Sequence, residues 1–180
     1  MQKLSFLTAA ISKYVVSSYR TKLRHILEGD PETVYTNLLH FENFADVHPY
    51  MKKVSCSAII CSNYEDYEVE EEVNVLPFLK YRPCYSVRVS EPAEGKHIRY
   101  TSQVKTGLYL CIDFRLRRNN KGNVIVDEDI ELQTHRFVAF IFFKILKKTH
   151  LQVFEAFRLR MKEQLQYQGS YLRSFRTEVA

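Results

Sequence analysis

The sequence predicts an α+β fold in which a curved antiparallel sheet of about seven strands wraps around a long C-terminal helix. Three observations predict it. Residues 52–134 form six segments of strand character that turn residues separate. One strand and two short helices precede them, and the hydrophobic period becomes helical after Thr134. The order is therefore one strand, two helices, six strands and one long helix, with a cavity expected between the concave sheet and that helix.

The first strand is predicted over residues 15–27, where apolar and basic side chains alternate and His25 shares the apolar side. Asp30 and Pro31 then predict the start of a helix. An Asp side chain caps free backbone N–H groups, and the fixed φ of proline suits the first helical position. The two short helices are predicted at residues 31–40 and 41–48, before Pro49.

The six strands that follow alternate apolar and polar side chains. In residues 108–118, Ile112 and Phe114 point one way while Asp113 and Arg115 point the other, which predicts one dry face and one wet face. The six strands are predicted near residues 53–61, 65–75, 82–91, 96–105, 108–118 and 123–134.

A long helix is predicted from Thr134 to about Gln166, because apolar residues recur at helical spacing along one side. The chain has 180 residues, of which 46% are hydrophobic and 26% charged, and this suits a single domain. Residues 15–166 are predicted as that domain, with an N-terminal extension at 1–14 and a C-terminal tail of uncertain order at 167–180.

The net charge of +5 is unevenly distributed. The first 90 residues carry 10 basic and 11 acidic side chains, and the last 90 carry 16 and 10. The split is typical of a surface with separate patches, and it also suits a basic region that faces nucleic acid or an anionic membrane. Nucleic acid is not an expected partner, because one predicted outer face carries Asp66, Glu68, Glu70 and Glu72.

The spacing of the cysteines limits the metal chemistry to expect, and the length of the apolar stretches limits the cellular location to expect. The four cysteines show no zinc-ligand spacing, so no metal site is predicted and a reducing cytoplasm is expected. Residues 4–11 make a poor secretory signal, and residues 137–146 are too short to span a bilayer. Lys144 within the second stretch, and Lys147 and Lys148 after it, suit a transient contact with an anionic membrane surface. The alternative is that the short helices and the N-terminal segment bury this end of the helix.

The segment 29–54, GDPETVYTNLLHFENFADVHPYMKKV, resembles the START-like superfamily of helix-grip proteins, which includes polyketide cyclases, lipid-transfer START domains and birch-pollen-type allergens. Val47 departs from the pattern, because many members carry an aromatic residue before the His-Pro pair. The resemblance implies a helix-grip fold whose cavity accepts a hydrophobic or amphipathic small molecule. The residues that carry it are Pro31, Val34, Leu38, Leu39, Phe41, Phe44, His48, Pro49 and Val54.

The candidate ligand site consists of inward-facing residues of the strands and the long helix. They are His25, Glu71, Tyr85, Tyr100, Ile112, Phe114, Glu128, Leu146, His150, Phe154 and Phe157. Their polar members are candidate anchors in an apolar pocket, where desolvation shifts a carboxyl pKa up and an imidazole pKa down.

Each polar candidate has a structural alternative. A strand bulge or the open end of the sheet takes the carboxylates of Glu71 and Glu128 to solvent. His25 is alternatively a core histidine satisfied by one hydrogen bond, and the two tyrosines are alternatively core packing. His150 either meets Glu71 or Glu128 as an acid–base pair or contacts only the sheet.

The leading hypothesis is a binding or carrier protein for a lipid, isoprenoid or polyketide-like molecule. An alternative is an enzyme of the cyclase or dehydratase type, with Glu71, Glu128, His25 or His150 moving a proton. A third is an interaction module for a protein or RNA partner. The motifs GxGxxG, GxxxxGK[ST], HExxH and GxSxG do not occur, so no cofactor is expected.

Overall fold

A curved antiparallel sheet holds a long C-terminal helix against its inner face, and the predicted α+β fold is confirmed. The computed structural model describes residues 16–61, 64–76, 79–104 and 107–178. The elements within these ranges are β1 Val16–Leu27, α1 Pro31–Leu39, α2 Phe41–Val47, β2 Met51–Cys61, β3 Tyr64–Glu71, β4 Val73–Leu76, β5 Leu79–Tyr81, β6 Cys84–Ala93, β7 His97–Val104, β8 Leu108–Arg118, β9 Val124–His135 and α3 Arg136–Glu178.

Seven strands of the described residues form the main sheet, in the order β1-β9-β8-β7-β6-β3-β2. The first strand therefore pairs with the last, and Leu23 lies opposite Glu128 while His25 lies opposite Val126. Along β9 buried and half-buried side chains alternate from Val126 to His135, as expected for a sheet with one inner face. This register brings His25 of β1 and Glu128 of β9 close together beneath α3.

The predicted strand 65–75 is divided in the structure. β3 ends at Glu71, and β4 pairs with β5 in a separate two-stranded sheet. The regular ladder between β3 and β6 ends at Glu70 opposite Cys84: the N–H of Glu71 still donates to the carbonyl of Pro83 at 3.1 Å, but Pro83 has no N–H to donate in return. The N–H of Glu72 instead donates to the carbonyl of Tyr50 at 2.9 Å.

The turn from β1 into α1 follows the sequence closely. The Asp30 side chain accepts hydrogen bonds from the N–H groups of Glu32 and Thr33, and Pro31 occupies the first helical position. Gly29 precedes this cap with φ of +135°, a conformation that only glycine adopts readily. The turn places α1 and α2 across one end of the sheet.

The long helix α3 begins directly after β9 and extends to Glu178, past the predicted end near Gln166. Residues 167–178 are thus helical in the structure, where a tail was predicted, because a single glycine such as Gly169 costs a helix only about 1 kcal/mol. Over the described residues, no helix is long and apolar enough to cross a membrane. The domain boundaries stay predictions.

Aromatic side chains fill the core between the sheet and the three helices. Phe44 contacts Tyr100 edge-on, with ring centroids 5.4 Å apart, and it also lies against Phe114 and Phe157. The Tyr100 hydroxyl donates to the carbonyl of Leu38 and joins β7 to α1. These contacts fix α2 against the middle of the sheet.

The outer face of the sheet carries ion pairs between neighbouring strands. Asp127 on β9 accepts from Arg24 on β1 and Arg117 on β8. Arg99 on β7 bonds Asp113 on β8 in the same way. Several basic residues of the second half of the chain are therefore paired with carboxylates on the sheet.

Candidate functional site

Two adjoining cavities lie between the inner face of the sheet and α3. Their volumes are about 50 Å³ and about 100 Å³, and both are bounded by Glu71, Tyr85, Ser102, Leu110 and Leu146. The first is also lined by Phe41, Phe44, His48, Met51, Val87, Tyr100, Thr101, Ile112 and His150. The second is also lined by Tyr81, Pro83, Val104, Leu108, Leu132 and Phe142. The walls are mostly apolar, with the polar side chains gathered where the two cavities meet.

Glu71 is the polar group at this junction, and its side chain is 15% exposed. Its Oε1 accepts a hydrogen bond of 2.6 Å from the hydroxyl of Tyr85 on β6. Burial raises the pKa of Glu71, against the lowering effects of the Tyr85 hydrogen bond and of charge on His150. The inward turn of this carboxyl follows from its place at the end of β3, on the same face as Tyr67 and Val69.

His48 faces Glu71 from the C-terminal end of α2. Its Nδ1 accepts hydrogen bonds from the N–H groups of Tyr50 and Met51, so the neutral ring carries its proton on Nε2. Burial, and then charge on His150, lower the pKa of His48 from 6.5 to about 3. Nε2 lies 4.0 Å from Oε1 of Glu71, which is beyond direct hydrogen-bond distance. At neutral pH the junction therefore holds an uncharged imidazole.

Behind the first cavity, Glu128 binds two imidazoles. Its Oε2 lies 2.8 Å from Nε2 of His25, and its Oε1 hydrogen-bonds Nδ1 of His150. Burial alone raises the pKa of Glu128, but the charges and hydrogen bonds of His150 and His25 outweigh it and lower the pKa overall. The result is an ionised carboxylate inside the protein, joined to both β1 and α3.

Six of the predicted site residues line the cavities. They are Glu71, Tyr85, Tyr100, Ile112, Leu146 and His150. The hydroxyl of Tyr100 is occupied by the carbonyl of Leu38, so this residue presents its ring. As contacts of a ligand, all six stay predictions.

The other five predicted site residues do not line these two cavities in the described part of the chain. His25 and Glu128 are core residues, because α3 packs directly on β1 and β9 there, and Phe114 of β8 is buried against Phe44 and Phe154. The ring of Phe154 stacks on His25 with centroids 3.7 Å apart. Phe154 and Phe157 border a separate space of about 10 Å³, the size of one water.

Four polar cavity residues, His48, Tyr81, Thr101 and Ser102, were not predicted as site residues. Ser102 lies on the inner face of β7 after Ile98 and Tyr100, and this period-2 spacing is a signal that identifies it. His48 has a weaker signal, because its burial depends on how α2 packs against β2. Polar side chains in the cavity wall are therefore more numerous than the strand pattern alone indicates.

No three His, Cys, Asp or Glu side chains among the described residues are placed to hold a metal ion. Cys56, Cys84 and Cys111 are free thiols.

No protein-family model and no curated protein matches the sequence, but solved structures match the fold. A START superfamily protein from Mycobacterium smegmatis is 13% identical, with a TM-score of 0.59 over 83% of this chain and 99% of that one. The Zhui aromatase/cyclase from Streptomyces sp. R1128 is 10% identical, with a TM-score of 0.61 over 83% and 96%. The chain has the START-like fold.

A third START-like neighbour, Ara h 8.0201, is 9% identical and has a TM-score of 0.62 over 82% of this chain and 99% of that chain. At sequence identities this low, the matches show a similar fold and nothing further. The START-like resemblance predicted from residues 29–54 is confirmed at that level, and the two cavities lie in the space where the START-like sheet grips its helix.

Proposed function

We propose that the protein binds a hydrophobic or amphipathic small molecule in the two cavities between the sheet and α3. The observation that carries this proposal is the cavity wall, which is apolar along most of its length and has Glu71, Tyr85 and His48 converging at one junction. Apolar pockets with a few convergent polar groups are the usual form of small-molecule sites. The START-like fold generally encloses such a site, which adds support.

The volumes bound the size of the ligand. The two volumes, about 50 Å³ and about 100 Å³, together approach roughly the 150 Å³ at which an engineered apolar cavity takes up benzene, so we expect one aromatic ring to fit across both. A lipid, isoprenoid or polyketide-like molecule requires the N-terminal part of α3 to move outward. Phe140 and Ile141 in that part are 56% and 46% exposed, so this stretch is packed mainly on one side.

Native mass spectrometry with organic extraction tests the proposal on protein purified from its own host. A co-purifying hydrophobic molecule of defined mass supports it. The matched variants are Leu146→Phe, which fills the space shared by both cavities, and Leu151→Phe, which adds the same bulk at an exposed position of the same helix. Loss of the molecule from Leu146→Phe alone locates it in the cavities, and equal retention in both variants rejects this location.

The second candidate function is a proton-transferring enzyme of the cyclase or dehydratase type. The observation that favours it is that Glu71, His48 and His150 all border the first cavity, as a general acid and base must. In a dehydration, a carboxylate takes the proton from carbon while a second group gives a proton to the hydroxyl that leaves as water. One structural neighbour is named as an aromatase/cyclase, which adds support.

Conversion of a short polyketide mimic, followed by mass spectrometry, tests this second function. Loss of one water in the presence of the protein, abolished by Glu71→Gln and retained by Glu72→Gln, supports turnover. Binding without any change in mass leaves the carrier function.

Two further partner hypotheses stay predictions. For the membrane contact, Lys144 Nζ lies 4.2 Å from the ring centroid of the exposed Phe140, while residues 4–11 lie outside the described residues. For a protein or RNA partner, Arg115 and Arg117 are bound to Asp129 and Asp127 on the neighbouring strand, which reduces the charge they offer.

A further inference from the structure

Glu71 borders both cavities, so a molecule that occupies either one meets its carboxyl group. Its two oxygens have different surroundings. Oε1 accepts the hydroxyl of Tyr85 at 2.6 Å and lies 4.0 Å from Nε2 of His48. Within the described residues, no side chain or backbone group hydrogen-bonds Oε2. One oxygen is therefore fixed by the protein, and the other is open to a ligand.

The walls of the two cavities contain no Lys or Arg among the described residues. His48 is uncharged at neutral pH, because its pKa lies near 3. His150 is already hydrogen-bonded to Glu128, whose carboxylate balances charge on that ring. An ionised Glu71 thus has no cation of its own in the site, and burial correspondingly raises the pKa of its carboxyl group.

We infer that Glu71 acts as a hydrogen-bond donor through Oε2, and that the ligand is an uncharged molecule presenting an acceptor oxygen, such as a ketone or an ether, to that atom. This inference rests on the proposed function and specifies the chemistry of its ligand. The ketone or ether oxygen lies at the junction, and the apolar remainder extends along Leu110 and Leu146.

Charge on the ligand opposes binding in this arrangement. An anion brings a buried charge beside an acid, with no Lys or Arg in the described cavity walls to compensate it. A cation requires Glu71 to give up its proton, and burial raises the pKa of that carboxyl group. An apolar molecule fits the walls but leaves the donor at Oε2 without a partner.

Four one-ring probes of similar size separate these cases on the unmodified protein at pH 7. They are acetophenone, ethylbenzene, 1-phenylethylamine and benzoate, with affinities measured by nuclear magnetic resonance titration of backbone amides. We expect acetophenone to bind about fivefold more tightly than ethylbenzene, the gain typical of one hydrogen bond. The amine and the carboxylate are expected to bind at least about tenfold more weakly than acetophenone.

Two variants locate the preference. Glu71→Leu removes the donor, so acetophenone and ethylbenzene are expected to bind equally, with ethylbenzene still bound. Glu71→Gln keeps a donor, so the preference for the ketone is expected to persist. A ketone preference that survives in Glu71→Leu overturns the role of Glu71.

The remaining outcomes distinguish this inference from the proposed function. Equal binding of acetophenone and ethylbenzene overturns the inference while the cavity remains a binding site. Tightest binding of 1-phenylethylamine also overturns it, and identifies Glu71 as an ionised anchor for cations. Failure of all four probes to shift any amide that borders the cavities overturns the proposed function for ligands of this size, and the inference with it.

Discussion

His150 on α3 hydrogen-bonds Glu128 on β9 inside the protein, and neither side chain is more than 3% exposed. The second oxygen of Glu128 lies 2.8 Å from Nε2 of His25 on β1. A single carboxylate thus connects the helix that closes the cavities to the two strands at one side of the sheet. The contacts of Glu128 with His150 and His25 therefore hold α3 against the sheet, in addition to the aromatic packing around Phe154.

Glu128→Leu is expected to lower the free energy of unfolding by about 3–5 kcal/mol, because it leaves two buried imidazoles without their shared partner. In the Glu128→Leu/His150→Leu double variant, the loss is expected to be smaller than the sum of the single losses by about 1–3 kcal/mol. Urea unfolding of the four proteins of the cycle measures this coupling. Asp129→Asn is the control, since it changes partly exposed pairs with Lys22 and Arg115 that are each worth at most about 1 kcal/mol. If the stability losses of the two single variants simply add up in the double variant, the proposed connection between Glu128 and His150 is contradicted.

His48 makes stability depend on pH below neutrality. Its pKa is about 3 in the folded protein and near 6.5 when unfolded. Between these values only the unfolded chain takes up the proton, so this contribution to stability is complete above pH 6.5 and is lost as the pH falls towards 3. At pH 5 the loss amounts to about 2 kcal/mol.

The comparison is with His48→Asn, whose side-chain oxygen accepts the N–H groups of Tyr50 and Met51 without titrating. From pH 7 to pH 5 we expect the unmodified protein to lose about 2 kcal/mol more than this variant in urea unfolding. His40→Asn, at an exposed histidine, is expected to keep the pH dependence of the unmodified protein. Parallel curves for His48→Asn and the unmodified protein contradict the assignment.

Much of the fold follows from local sequence patterns. Residues 108–118 were predicted as a strand with Ile112 and Phe114 inward, and β8 has these bounds and this orientation. The division of residues 65–75 could not be predicted in this way. Its cause is that Pro83, far along the chain, ends the ladder and Tyr50 receives the N–H of Glu72.

The same distinction applies to the candidate site. Period-2 spacing placed Glu71, Tyr85 and Glu128 on the inner face, because a regular strand carries this information locally. Which of these three residues borders a cavity depends on how closely α3 approaches each strand. The residue pattern of a single strand does not contain that distance. His48 was not predicted for the same reason, since α2 and β2 together create its surroundings.

Gly29 is expected to resist substitution. Its φ is +135°, and a Cβ added there lies 2.6 Å from Cε of the buried Met161. Gly29→Ala therefore costs about 2–3 kcal/mol, mainly as backbone strain, because the methyl end of Met161 can shift away from the added Cβ. Gly95→Ala, at φ of +67° with no atom within 4 Å, costs about 1 kcal/mol. Urea unfolding compares the two, and equal costs contradict the larger backbone strain expected at Gly29.

Glu71 and Glu72 are adjacent, yet their environments give them opposite effects on stability. Burial raises the folded pKa of Glu71 above 4.5, so its contribution is complete below pH 4.5 and is lost as the pH rises through the folded pKa. Hydrogen bonds from Lys80 and Arg82 lower the folded pKa of the half-buried Glu72. The contribution of Glu72 is therefore present above pH 4.5 and is lost as the pH falls.

Glu71→Gln is expected to gain stability relative to the unmodified protein as the pH rises from 4 to 8, because the glutamine never ionises at the cavity junction. Glu72→Gln is expected to lose stability over the same range, because it no longer pairs with Lys80 and Arg82 at high pH. Urea unfolding at pH 4, 6 and 8 compares both variants with the unmodified protein. A Glu71→Gln curve that falls with Glu72→Gln indicates an ionised Glu71, and the ligand at the junction is then expected to be a cation.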